Sequence, residues 1–256
     1  MQNALDFIKF ALTHAKRESI PDDAKLPMDA DDCGSEPWEY LYGTTATPVT
    51  EELLNERYEN FYSKRGWTRE AFDIATENWA ALHRRATDCQ GLLDSFLGTD
   101  VTANYCYSAW CTERGAISDI ERPYEIGEAV FYRNKTDGRM THVGFVCGFL
   151  NGEPLCVEAR GIRFGVVVTR FAERPWTYRG LVTQKLSYDE SLRDDPLVLE
   201  IKKPMIQGKM IRELQRALNA LGYYCGAVDG KCGRITMSGV TAFARAHCGH
   251  EKEAEL

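Results

Sequence analysis

Apolar and polar positions follow three rhythms along the chain. In residues 1–16, Phe7, Ile8, Phe10, Ala11 and Leu12 interleave with Asp6, Lys9 and His14. Apolar residues three and four apart predict an amphipathic helix. Pro21–Gly34 is polar and reads as a loop, followed by the aromatic segment Trp38-Glu-Tyr-Leu-Tyr-Gly43. The helical rhythm returns over residues 47–86. Thr50 and Thr68 are placed to cap helix starts, with Glu51, Glu52 and Glu70 in the first turns, where carboxylates meet the positive helix end. From Ile126 the period becomes two. Segments 128–133, 141–150, 155–161 and 165–171, rich in Val and Phe, predict strands. Leu186–Pro204 is charged, holds two prolines and reads as a linker. Beyond it Ile211, Leu214, Leu218 and Leu221 line one helix face, which Gly222 ends. The turn Gly226-Ala-Val-Asp-Gly230 leads to a second helix through Val240, Phe243 and Ala244.

These elements predict an α+β fold. Residues 1–188 form one domain of helices on an antiparallel sheet, with a helical insert at 47–86. Residues 189–204 link it to a small three-helix domain at 205–250. That last segment is short for an independent core, but three short helices can supply one.

Composition excludes some functions. The 256 residues carry a net charge of −7, and no Lys/Arg cluster advertises a phosphate backbone as partner. No apolar run approaches the ~18 residues of a membrane span. A secretory signal needs a basic region and then an unbroken apolar stretch, which the charges of residues 1–16 interrupt. The expectation is synthesis in the cytoplasm. Nine cysteines, an odd count with no CxxC pair, argue against a disulfide framework or a zinc site and for reduced thiols in a folded interior.

One cysteine stands apart. Cys89, in Asp88-Cys-Gln-Gly-Leu92, precedes an apolar helix through Leu93, Phe96 and Leu97. A helix start offers free N–H groups and partial positive charge, which favour thiolate. His142 opens the strand Thr-His-Val-Gly-Phe-Val, where a side chain can reach from a sheet edge to a helix start. Leu150-Asn-Gly-Glu153 signals a hairpin. A strict two-residue turn puts His142 on one face with Val157, Ala159 and Gly161. An odd-numbered, bulged loop puts it with Gly144, Gly148, Glu158 and Arg160, leaving Val143, Phe145, Cys147, Phe149, Leu155, Val157 and Ala159 on the other face. The second register sorts polar from apolar better. It brings Glu158 to the imidazole, to fix its tautomer, unless Glu158 merely pairs with Arg160 at the surface.

Asp88-Cys-Gln-Gly-Leu, then Thr-His-Val-Gly-Phe-Val and a hairpin with a polar residue, resembles the NlpC-type cysteine peptidases, papain-like enzymes of the bacterial cell wall. The resemblance implies a papain-like fold with Cys89 as nucleophile, His142 as base and Glu158 as third member. Tyr40-Leu-Tyr-Gly resembles the family's aromatic segment and makes Tyr40 a candidate hydroxyl at the oxyanion or substrate. Asp88 and Arg160 are candidate substrate contacts, Asp88 toward a free amine. The implied reaction is hydrolysis of a stem-peptide amide, after γ-D-glutamate and before the diamino acid, with no metal or organic cofactor. Here Gln90 stands where the family has Ser, and the 47–86 insert separates the aromatic segment from the cysteine. Separately, Ile211–Gly230 with the following Gly-Arg-Ile-Thr resembles a peptidoglycan-binding domain. Peptidoglycan is thus the expected partner, reached through a separate permeabilising protein as phage lysins are. The rivals are another amidase or acyltransferase on the same fold, and a non-catalytic wall-binding protein.

Overall fold

The structure is a computed structural model that describes residues 1–29, 31–188 and 207–247, with side chains to 243. The chain divides into two compact units, Met1–Arg193 and Asp194–Leu256. The expected linker at 189–204 lies outside the described residues.

The first unit opens with strand β1 (Gln2–Asn3) and helix α1 (Ala4–Thr13), started by the Asn3 side chain, which accepts from the Leu5 N–H at 2.7 Å. Strand β2 (Glu39–Tyr40) follows. The insert begins at β3 (Thr47–Pro48), runs through α2 (Glu51–Arg57) and α3 (Arg69–Ala75), and ends at β4 (Arg85–Thr87). Then come α4 (Gly91–Leu97) and α5 (Ala103–Tyr105). The strands β5 (Thr112–Ala116), β6 (Ala129–Arg133), β7 (Met140–Leu150), β8 (Glu153–Ala159), β9 (Val166–Arg170) and β10 (Tyr178–Leu181) form one antiparallel sheet in the order β5-β10-β6-β7-β8-β9. A final strand, β11 (Leu186–Ser187), pairs parallel with β1. The architecture is thus helices with antiparallel sheets. Strands β5 and β10 are short, interrupted by Arg and Gly, and carry no clear alternation that sequence reading can detect.

Helices α1 and α4 cover one face of the sheet. Phe7, Ile8 and Leu12 of α1 and Leu92 and Leu93 of α4 pack with Val143, Phe145, Val157 and Val166, all fully buried. Phe7 meets Phe145 edge-on at 4.7 Å between centroids. Each such buried side chain contributes about 1.5–3 kcal/mol relative to exposure. The N-terminal segment is therefore a core element.

The insert differs at its ends from the helical reading of 47–86. Its ends are strands paired with each other, Thr47 opposite Ala86 and Pro48 opposite Arg85. Thr50 and Thr68 do cap α2 and α3, accepting from the N–H groups of Leu53 and Ala71. Between them residues 58–62 form a π-helix and 63–65 a 3-10 turn. The insert has its own core of Leu54, Tyr62, Phe72 and Trp79 against Leu41 and Ile162.

The hairpin also differs. Its turn is a strict two-residue one, Asn151-Gly152, both with positive φ (53° and 84°), and Leu150 pairs with Glu153. The odd residue lies inside β7, where pairing slips between Val146 and Gly148 and leaves Cys147 as a bulge. On the His142 side the slip yields the expected faces. Beyond it Gly148 and Phe149 exchange faces, and Phe149 joins Val146, Cys156 and Trp176 in a second cluster.

In the second unit the described residues form two helices, not three: α6 (Lys209–Ala220) and α7 (Arg234–His247). Ile211, Leu218, Cys225 and Cys232 are buried between them, whereas Leu221 is exposed beyond the helix end. Gln215 fills the remaining buried position on α6. Its Nε2 donates to Asp229 Oδ1, Lys231 O and Thr236 Oγ1, and its Oε1 accepts from the Gly230 N–H.

Candidate active site

Cys89 sits where β4 ends and α4 begins. The turn is held by Asp88, whose two carboxylate oxygens accept from the N–H groups of Gly91 at 2.7 Å and Gly43 at 3.0 Å. Burial pushes the Asp88 carboxyl up, against the lowering effect of these hydrogen bonds. Asp88 thus holds the turn around Cys89 and also lines the cleft beside it. Gly91 must be glycine, because a Cβ there would lie 2.2 Å from the Thr44 carbonyl. Gln90 turns inward and donates to Asp94. The backbone N–H of Cys89 has no acceptor among the described residues.

Eight cysteines are described, all as free thiols. Cys89 is half-buried and the other seven are buried. Burial pushes the thiols of Cys147 and Cys156 up, as expected of inert core groups.

His142 Nε2 stands 2.6 Å from Glu158 Oε2. Burial pulls the imidazole down, but the neighbouring Cys89 and the hydrogen bond to Glu158 outweigh it and raise it to about 9. With Nε2 engaged by the carboxylate, Nδ1 is the nitrogen left for the thiol. Glu158 is wholly buried, so it is no surface salt bridge. Its partner is Arg174, not Arg160: Arg174 donates through Nε at 2.6 Å to Oε1 and Nη2 at 2.9 Å to Oε2, and Thr169 Oγ1 donates at 2.8 Å. Burial pushes the Glu158 carboxyl up, yet the bonds from His142 and Arg174 hold it below the usual value. Trp176 lies parallel to the imidazole, 3° between planes and 5.6 Å between centroids. Gly144 leaves room for that indole, since a Cβ would come within 2.8 Å of it.

Arg174 and Trp176 were not legible as site residues. They follow the strand region in Glu-Arg-Pro-Trp, and no spacing rule ties them to His142. Arg160 lies behind the imidazole, lining a 130 Å³ cavity with His142 and Trp176 and stacking 4.3 Å over Phe164. Its place is beside His142 rather than among the residues that line the cleft at Cys89.

Tyr40 does reach that cleft, despite the insert. Strand β2 pairs parallel with β4, Tyr40 opposite Thr87, two residues before the cysteine. Burial first, then the neighbouring Cys89 and Asp88, push its hydroxyl well up. It stays a neutral donor. The cleft holds about 570 Å³ and is lined by Tyr40, Asp88 and Cys89, by Phe61 and Arg65 of the insert, and by Arg139. Among the described residues no group of three or more His, Cys, Asp or Glu side chains is arranged to hold a metal, and no helix is long and apolar enough to cross a membrane.

Comparison with known proteins bears on the second unit. No curated protein and no solved structure matches the chain. No catalytic family matches the residues around Cys89. Residues 207–248 match the family described as Putative peptidoglycan binding domain, which associates the chain with the cell wall.

Proposed function

We propose that the first unit is a papain-like cysteine peptidase that hydrolyses an amide bond of peptidoglycan stem peptides, while the second unit holds it at the polymer. The observation that carries this reading is the line Cys89–His142–Glu158, with the only half-buried thiol among the described cysteines facing an imidazole whose other nitrogen is tied to a buried carboxylate.

A protonated imidazole beside Cys89 favours the thiolate. The sulfur attacks the amide carbonyl, and the oxyanion takes the free Cys89 N–H and the Tyr40 hydroxyl as donors. The His142 proton passes to the departing amine as the C–N bond breaks, leaving a thioester. Water, deprotonated by the now neutral His142, adds to the thioester and releases acid and thiol. Glu158, held by Arg174 and Thr169, keeps the imidazole oriented throughout. By resemblance to the NlpC-type enzymes, the bond is the one between γ-D-glutamate and the diamino acid.

Mass spectrometry of purified sacculi after digestion tests this. Fragments with a newly free amine on the diamino acid are expected. Cleavage only between sugar and stem peptide would make the protein an amidase of another bond. Unaltered sacculi under every condition would leave wall binding without hydrolysis.

A further inference from the structure

We propose that the 47–86 insert is a substrate-recognition arm, and that its Arg65, with Arg139 of the same cleft, binds the free carboxylates of an acidic peptide lying over Cys89. The inference rests on the peptidase reading of that cleft and adds what the cleft selects.

The two arginines share the cleft with two carboxylates, Asp88 and Asp137. Both line the cleft and both are exposed. Neither forms an ion pair among the described residues, in a chain whose net charge is −7. The carboxylates nearby are already engaged. Asp88 accepts from two backbone N–H groups, and Asp137 accepts from the Arg139 N–H at 3.1 Å. The cleft therefore presents two uncommitted guanidiniums, the group best matched to a carboxylate through paired N–H donors.

Arg65 is also positioned in advance. Its guanidinium lies 3.5 Å from the Phe61 ring centroid, and Phe61 stacks on Tyr42 at 3.5 Å and 11°. Stacking on an aromatic face leaves the edge donors of a guanidinium free. Its one side-chain hydrogen bond is a long one, 3.4 Å, from Nη1 to the Phe61 carbonyl. The π-helix at 58–62 and the 3-10 turn at 63–65 rotate these side chains away from the directions a continuous α-helix would give them.

The arm is tied to the nucleophile turn. Arg57 Nη2 donates to Gly43 O at 3.0 Å, the Tyr42 N–H donates to Tyr62 Oη at 3.2 Å, and the Gly43 N–H donates to Asp88. These bonds run from the insert to the residue before Cys89, so Arg65 keeps a fixed place relative to the sulfur. A cleft of about 570 Å³ suits a peptide of a few residues.

The test uses the full-length protein carrying Cys89→Ala, so that the ligand is not consumed. The probe is the synthetic tripeptide L-alanyl-γ-D-glutamyl-diaminopimelate, either free or with its carboxylates converted to amides. In titration calorimetry the free acid should bind at least about tenfold more tightly than the amide. Arg65→Gln should remove most of that preference and leave the affinity for the amide unchanged, which also shows an intact fold. Arg65→Lys should keep part of the preference through charge alone. Equal affinity for both peptides overturns the proposal, as does a preference undiminished when Arg65→Gln and Arg139→Gln are combined. If the preference is found but the protein with Cys89 intact cleaves neither peptide, recognition stands and the peptidase reading falls. Cleavage without preference gives the reverse.

Discussion

The imidazole of His142 and the carboxylate of Glu158 meet at 2.6 Å because Cys147, on the same strand as His142, is bulged out of its pairing with β8. The two-residue turn at Asn151-Gly152 alone would put His142 on the face of Val157 and Ala159, against the core. One extra residue reverses the parity, and the imidazole emerges beside Glu158. The dyad is thus a property of strand register, and Arg174 and Trp176 are added from the segment after β9.

Cys89→Ala should lower hydrolysis of sacculi by more than about a thousandfold, because nothing else replaces the covalent route. Thermal unfolding and sacculus binding should be unchanged. In the unsubstituted protein, brief alkylation followed by peptide mapping should label Cys89 before the seven buried cysteines. Activity within tenfold of the starting protein, or earlier labelling of Cys106 or Cys111, would remove Cys89 as nucleophile.

The pH profile should report His142. Its charged form is stabilised, so activity that needs the imidazolium should fall as pH rises through about 9. Glu158→Gln takes away the carboxylate and should move that alkaline limb down toward the ordinary 6.5. The same sign holds for stability. A raised imidazole contributes stability fully present below its unfolded value, lost as pH rises through the folded one. Glu158→Ala should cost a few kcal/mol as well, about 3 at most, since the half-buried Arg174 is left without its partner. An alkaline limb that does not move in Glu158→Gln would separate the pair from catalysis.

Gly144→Ala should lower turnover and also cost about 1–3 kcal/mol, because the new methyl displaces Trp176 from the imidazole. Gly148→Ala is the comparison. It meets the Lys25 carbonyl at 2.5 Å, so it should destabilise by a similar amount and leave kcat near normal. Equal loss of kcat in both variants, measured well below their melting temperatures, would show that Trp176 does nothing specific for His142.

Residues from about 205 onward should bind purified sacculi by themselves. Their core of Ile211, Leu218, Cys225 and Cys232 and the bonds around Gln215 lie within the segment. Cleavage near Leu197 should leave residues 1–197 able to cut soluble muropeptides and less efficient on whole sacculi, because tethering raises local concentration and leaves chemistry unaltered. A folded C-terminal fragment that stays in the supernatant of the sacculus pull-down would contradict the binding role.

Local physics made part of this protein readable from its residues alone. Helix caps at Thr50 and Thr68 act within three residues, and the spacing of Phe7, Ile8 and Leu12 defines a buried face before any partner is known. The position of Cys89 at a helix start and of His142 on a strand is local in the same sense. Contacts between distant segments were decided only by the tertiary structure. Tyr40 comes to the cysteine through a parallel pairing that closes over forty intervening residues, since Thr47 and Ala86 seal the insert at its base. Glu158 takes Arg174 rather than Arg160, because the chain after β9 folds back over a carboxylate that the sheet has already stripped of water. The alternation of polar and apolar residues called for one odd residue but did not say where; that it is Cys147 inside the strand and not the loop was decided by the packing of the side chains on either side. Arg65 and Phe61 entered the cleft for the same reason: the insert's own core sets where that arm lies, and no periodicity along 47–86 says which way it faces.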